Sequence, residues 1–160
     1  MDLRLVQELE GFLKEFPSLA QSYIPVDRIG EGTFSTVYKA IDCKYYAMNN
    51  SNWAHYENYL FEDEDENHWF LNEEDSSRSL IVKLALEYKK SIGEKAIHYV
   101  ALKKLHRTSS PDRIIDELQF LQLLQGKFNI VPLVTAFRIE DQAVMVFPYF
   151  KHDDFRVLTF

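Results

Sequence analysis

The chain has 160 residues, of which 46% are hydrophobic and 27% charged, a composition typical of one soluble globular domain with a substantial core. The formal charge of −7 argues against nucleic acid as the main partner, because phosphate backbones are bound by basic surfaces. The single cysteine excludes an intrachain disulfide and favours a reducing compartment, and no apolar run approaches the roughly 18 residues of a membrane span.

Residues 1–22 are predicted to form an amphipathic helical extension. Apolar side chains recur three or four residues apart, with acidic residues between them, which is the spacing of one helix face: Leu5, Leu9, Phe12, Leu13 and Phe16. Pro17 is expected to end this helix, which should pack on the domain surface. Its shortage of basic residues argues against membrane binding.

Two predicted strands, Tyr23–Ile29 and Val37–Ile41, flank a loop in which Gly30 and Gly32 stand one residue apart. Glycine has no Cβ, so it permits unusual backbone angles and lets backbone N–H groups approach a ligand, most often a phosphate. Ser35 occupies the place of the third glycine in the pattern G-x-G-x-x-G. Taken alone, the pattern favours an ordinary tight hairpin over a nucleotide-binding loop.

The segment 43–97 is predicted to be an insert. Residues 43–79 contain an acidic run and several aromatic side chains, which favours a disordered and solvated segment. A locally folded element or a docking motif remains the alternative. The apolar stretch Leu80–Tyr88 fits both strand alternation and helical spacing, and the sequence does not decide between them.

The second half of the chain predicts one helix and three strands. The strands are His98–Leu105, Val131–Arg138 and Ala143–Phe147, and the helix runs from about Ser109 to Gln125, with proline at its first position and Gly126 as its stop. The predicted fold class is therefore α+β. It consists of a small antiparallel sheet of about five strands with one long helix packed on it.

One charge on this helix is unexpected, because Glu117 shares a narrow arc with apolar residues. An unpaired carboxylate on a buried face is costly, so Glu117 needs a cation. Lys103, on the preceding strand, is the best candidate. In the alternative interpretation, Glu117 lies at the edge of the apolar face and is merely solvated.

Together these features resemble the N-terminal lobe of eukaryotic protein kinases, in which a glycine loop covers the ATP phosphates and a strand lysine is oriented by a helix glutamate. The resemblance covers residues 23–160 apart from the insert, and it implies a nucleotide-binding hinge at 148–150. Gly30 and Gly32 then match the loop glycines, and Lys103 and Glu117 match the ion pair. The implied ATP-binding residues are Ile29, Gly30, Gly32, Val37, Ala101, Lys103, Glu117, Phe147, Pro148 and Phe150.

Within the kinases, the chain is similar to the cell-division-cycle-seven family. The similarity lies in the run 23–40, in 109–118, and in Pro148-Tyr149 with His152 and Phe155. It implies a nuclear serine/threonine kinase that uses ATP and Mg²⁺ and phosphorylates the MCM helicase at the start of DNA replication. It also implies a Dbf-four-type activator subunit that grips the helix carrying Glu117.

The kinase motifs of the C-terminal lobe are missing from this sequence. Neither H-R-D-x-x-x-x-N nor D-F-G occurs, since His106-Arg107-Thr108 has no aspartate and Asp153-Asp154-Phe155 has no glycine. No general base and no metal ligand is therefore expected here, and the chain alone should not transfer phosphate. The alternatives are a non-catalytic short form that binds the activator, or an unrelated small α+β protein.

Overall fold

The computed structural model describes residues 2–47, 79–125, 127, 130–139 and 141–150. Within them lie three helices and five strands. In chain order these are α1 (Leu3–Glu15), β1 (Tyr23–Glu31), β2 (Ser35–Asp42), α2 (Leu80–Ile92), β3 (Tyr99–Leu105), α3 (Pro111–Leu124), β4 (Thr135–Ile139) and β5 (Gln142–Pro148). None of these helices is long and apolar enough to cross a bilayer.

The five strands form one antiparallel sheet in the order β1-β2-β3-β5-β4. The predicted α+β class and the five-stranded antiparallel sheet are therefore confirmed. Most predicted strands end within two residues of the observed ones. The exception is β4, which begins at Thr135 and not at Val131, since Pro132 has no N–H to donate to a ladder.

Helices α1 and α3 lie on opposite faces of this sheet. Successive strand residues point to opposite faces, and two neighbouring lysines on β3 show which helix lies on which face. Lys103 pairs with Glu117 of α3, whereas Lys104 pairs with Glu15 of α1. The sheet is thus covered on both faces.

Helix α1 contributes its whole apolar side to the main hydrophobic core. Leu9, Phe12 and Phe16 are each no more than 3% exposed, and the ring of Phe12 lies 5.0 Å from that of Tyr38 on β2. The Tyr38 hydroxyl also donates a hydrogen bond to Glu8 of the same helix. The predicted helix therefore exists, and it forms part of the core.

The stretch that the sequence left undecided is helical. Ile81, Val82 and Ala85 of α2 are fully buried, a spacing that places them on one face of a helix. Glu10 of α1 accepts hydrogen bonds from the Leu80 N–H (2.8 Å) and the Ser79 hydroxyl (3.1 Å), so it satisfies donors at the start of α2. The rest of the predicted acidic insert, residues 48–78, falls outside the described residues, as do Gly126, His152 and Phe155.

Asp42, at the end of β2, is a buried carboxyl group whose ionisation should cost stability. Burial raises its pKa from 3.8 to about 6, against the opposing effect of hydrogen bonds from the backbone N–H groups of Lys44 and Tyr45. Because the pKa is higher in the folded state, the stabilising contribution of the protonated group is complete below pH 3.8 and is lost as the pH rises through about 6.

We therefore expect Asp42→Asn to be more stable than the wild type at pH 8, and to lose most of that advantage at pH 4. The amide can still accept the 2.9 Å hydrogen bond from the Lys44 N–H and carries no charge. The difference in unfolding free energy between the two proteins should change by about 2 kcal/mol over this range. Urea unfolding of both proteins at each pH measures it, and a difference independent of pH would contradict the expectation.

Candidate functional site

The strand register brings four of the predicted site residues onto one face of the sheet. Val37 of β2 lies opposite Lys103 of β3, and Ala101 of β3 lies opposite Phe147 of β5. Lys103 and Ala101 are two residues apart on one strand, so all four side chains point the same way. This is the face that carries α3.

Lys103 and Glu117 form an ion pair between β3 and α3, with 27% and 37% of the two side chains exposed. The structure therefore pairs Glu117 with Lys103, as predicted, while the Glu117 side chain stays partly exposed at the edge of the apolar face. Below this pair a small second hydrophobic cluster joins helix and sheet. Its members are Leu105, Leu133, Ala143 and Met145, with Ile114, Leu118, Leu121 and Phe147 packed against them.

The loop between β1 and β2 does not need its glycines for its own folding. A Cβ built on Gly30 would lie 3.5 Å from Val37 Cβ, and one built on Gly32 would lie 3.7 Å from the Ser35 carbonyl oxygen, both ordinary contacts. Among the described glycines only Gly93 has a positive φ, so backbone strain does not require glycine here either. The remaining physical reason for glycine is close approach of a ligand to the loop backbone.

Beneath the loop lies an open cleft of about 290 Å³. The loop forms one wall, Lys103 and Leu105 of β3 lie on the sheet side, and Ser109 with Arg113, Ile114 and Glu117 of α3 contributes the remaining wall. Two cationic side chains, the Ser109 hydroxyl and the Glu117 carboxylate that pairs with Lys103 therefore meet the loop in one space. The two cations outnumber the one carboxylate, which suits an anionic, oxygen-rich group such as a phosphate.

The tip of this loop is held by residues that no sequence pattern indicated. The Phe34 carbonyl accepts hydrogen bonds from the His106 N–H (2.9 Å) and the Ser109 hydroxyl (3.2 Å), and the Arg113 guanidinium lies 5.1 Å from the Phe34 ring. The sequence interpretation treated His106 only as a false match to a catalytic motif. Because Ser35 pairs with Leu105, residue 106 lies beside residue 34. This pairing follows only from the three-dimensional structure, so the sequence could not indicate it.

The other predicted site residues are less closely joined to the cleft. Ile29 lies at an irregularity in the pairing of β1 with β2 and is 42% exposed. Pro148 is the last residue of β5 and pairs with Val100. Phe150 follows two residues later, beyond the end of the sheet. Within the described ranges no group of three or more His, Cys, Asp or Glu side chains is arranged to hold a metal ion.

Sequence comparisons identify relatives over almost the whole chain, although no protein-family model matches it. The cell cycle serine/threonine-protein kinase hsk1 of Schizosaccharomyces pombe is 39% identical over 94% of this chain. A probable cell division control protein 7 homolog of Encephalitozoon cuniculi is 34% identical over 92%. The cell cycle protein kinase spo4 of S. pombe is 29% identical over 93%. The chain spans only 26%, 28% and 29%, respectively, of these relatives.

Proposed function

From its membership of the Cdc7- and Hsk1-type serine/threonine protein kinases, we propose that this chain is the ATP-binding lobe of a kinase of that type. The observation that carries the proposal is the Lys103–Glu117 ion pair beneath a glycine loop. In a kinase, the glutamate fixes the lysine so that its ammonium group can contact the α- and β-phosphates. The structure supports this role because the pair is partly exposed and faces the cleft.

The other residues of this face would position the rest of the nucleotide. Val37 and Ala101 carry small apolar side chains on the same sheet face as Lys103, which suits contact with an adenine ring, and Phe147 lies opposite Ala101 on that face. Backbone groups of Pro148 and Phe150 would bind the adenine edge, since proline supplies only a carbonyl and phenylalanine also an N–H. Mg²⁺ and the general base would come from a C-terminal lobe.

We also propose that this chain acts in the nucleus, with an MCM-type protein substrate and a Dbf-four-type activator. Support for an activator comes from α3, whose side chains Ile115, Phe120 and Leu123 are 51%, 63% and 72% exposed. Exposed apolar residues on the helix that carries Glu117 suit a partner that sets the position of that helix.

The same exposed residues favour a second candidate function, a non-catalytic interaction module that binds the activator. The two functions differ in their requirement for ATP. Capture of the activator by this 160-residue chain, with binding unchanged in Lys103→Met and no bound ATP, would favour the interaction module.

The proposal predicts that the wild-type chain binds ATP through the loop and the end of β5. In an NMR titration, ATP should cause saturable shifts in the amide resonances of Gly30, Gly32 and Phe150, with little change in α1. Adenosine should shift Phe150 and spare the glycines, because it has no phosphates. If ATP causes no saturable shift at any of these amides, the proposed function is wrong.

A further inference from the structure

The histidine that follows β3 contacts the tip of the glycine loop through its ring as well as its backbone. His106 Nδ1 lies 3.2 Å from the carbonyl oxygen of Thr33, and Nε2 lies 3.0 Å from the Thr36 hydroxyl. The His106 N–H donates to the Phe34 carbonyl at 2.9 Å. One residue thus holds Thr33 and Phe34 of the loop and Thr36 at the start of β2.

These contacts determine the tautomer of the ring. A carbonyl oxygen can only accept a hydrogen bond, so Nδ1 must carry the proton that points to Thr33. In the neutral ring Nε2 is then an acceptor, and the Thr36 hydroxyl donates to it. Thr36 therefore fixes the ring orientation that lets His106 hold the Thr33 carbonyl.

Holding two carbonyls also fixes two N–H groups. Each peptide unit is planar and trans, so its C=O and N–H point in opposite directions. With the Thr33 and Phe34 carbonyls bonded to His106, the N–H groups of Phe34 and Ser35 are held pointing away from those two bonds. The backbone at the tip of the loop therefore has one fixed orientation.

We propose that His106 is a positioning residue for the glycine loop, holding its tip in one conformation against the β3–α3 connection so that the loop is preorganised when ATP binds. The inference rests on the proposed function, because it concerns the same site. Ser109 and Arg113, just before and at the start of α3, also contact Phe34 and so link the loop to that helix. The loop and the helix that carries Glu117 are thereby held as one unit.

The test compares ATP and adenosine affinities of the 160-residue chain and its variants by NMR titration. His106→Ala should bind ATP about five- to tenfold more weakly, the effect of one or two lost hydrogen bonds. Adenosine affinity should not change, because adenosine has no phosphate. Thr36→Val should show part of the same loss, and His106→Asn should regain affinity, since its amide can donate from near the position of Nδ1.

Thr108→Ala is the matched control, an exposed residue in the same connection, and should bind both ligands as the wild type does. Hydrogen exchange of the Phe34 and Ser35 amides should become faster in His106→Ala, with thermal unfolding nearly unchanged. A wild type that binds ATP while His106→Ala binds it equally well would overturn the inference and leave the proposed function standing. A wild type that binds neither ligand would overturn both, and an equal loss for both ligands would show a structural role only.

Discussion

Lys103→Met should abolish phosphoryl transfer in a chimera in which this chain replaces the matching segment of the S. pombe hsk1 kinase. Lys103 is the cation of the proposed phosphate site, and its partner Glu117 cannot bind a phosphate in its place. Removing a preorganised positive donor at a transferring phosphoryl group should lower kcat by at least about a hundredfold. Phosphorylation of a protein substrate with radiolabelled ATP measures the loss.

The fold should survive this substitution, because the ion pair is about one-third exposed and such pairs contribute little to stability. Methionine also keeps the apolar length of the lysine stem. Thermal unfolding of the wild-type and variant chains should therefore give similar midpoints.

Lys104→Met is the matched control for Lys103→Met. It removes the same charge from the next residue, but Lys104 pairs with Glu15 on the opposite face of the sheet and lies against the rings of Phe12 and Phe16. We expect the chimera with Lys104→Met to retain activity. If this variant is inactive and Lys103→Met is active, the two lysines have been assigned to the wrong roles.

Phe16→Ala should destabilise the chain by about 3–5 kcal/mol, the cost of emptying a buried aromatic site. Phe16 caps the C-terminal end of α1 and is 1% exposed, and its ring lies 5.0 Å from that of Phe12. The sheet that carries the site therefore depends on α1 for its stability. Urea unfolding at constant pH measures the change in free energy.

Phe120→Ala is the control for this prediction, because it removes the same side chain from α3 at a position that is 63% exposed. It should change the unfolding free energy by less than about 0.5 kcal/mol. Equal effects of the two substitutions would show that α1 does not belong to the core.

Local sequence patterns were sufficient for most of the secondary structure. The apolar spacing of α1, the proline at the start of α3 and the strands on either side of Gly30 are all local signals, and each predicted an element that the structure contains. Leu80–Tyr88 could not be decided because its apolar residues satisfy two periodicities at once. Packing against α1 decides it, since Glu10 binds the first N–H group of the helix.

The sequence by itself determined the fold class and favoured the Lys103–Glu117 pair, because Glu117 shares a helix arc with apolar residues and the preceding strand supplies a lysine. Only the tertiary structure decided that Lys104 faces α1 and that His106 holds the glycine loop. Both depend on strand register, which relates residues about 70 positions apart, such as Thr36 and His106. No local pattern in the sequence encodes that distance, because register is set by the packing of the whole sheet.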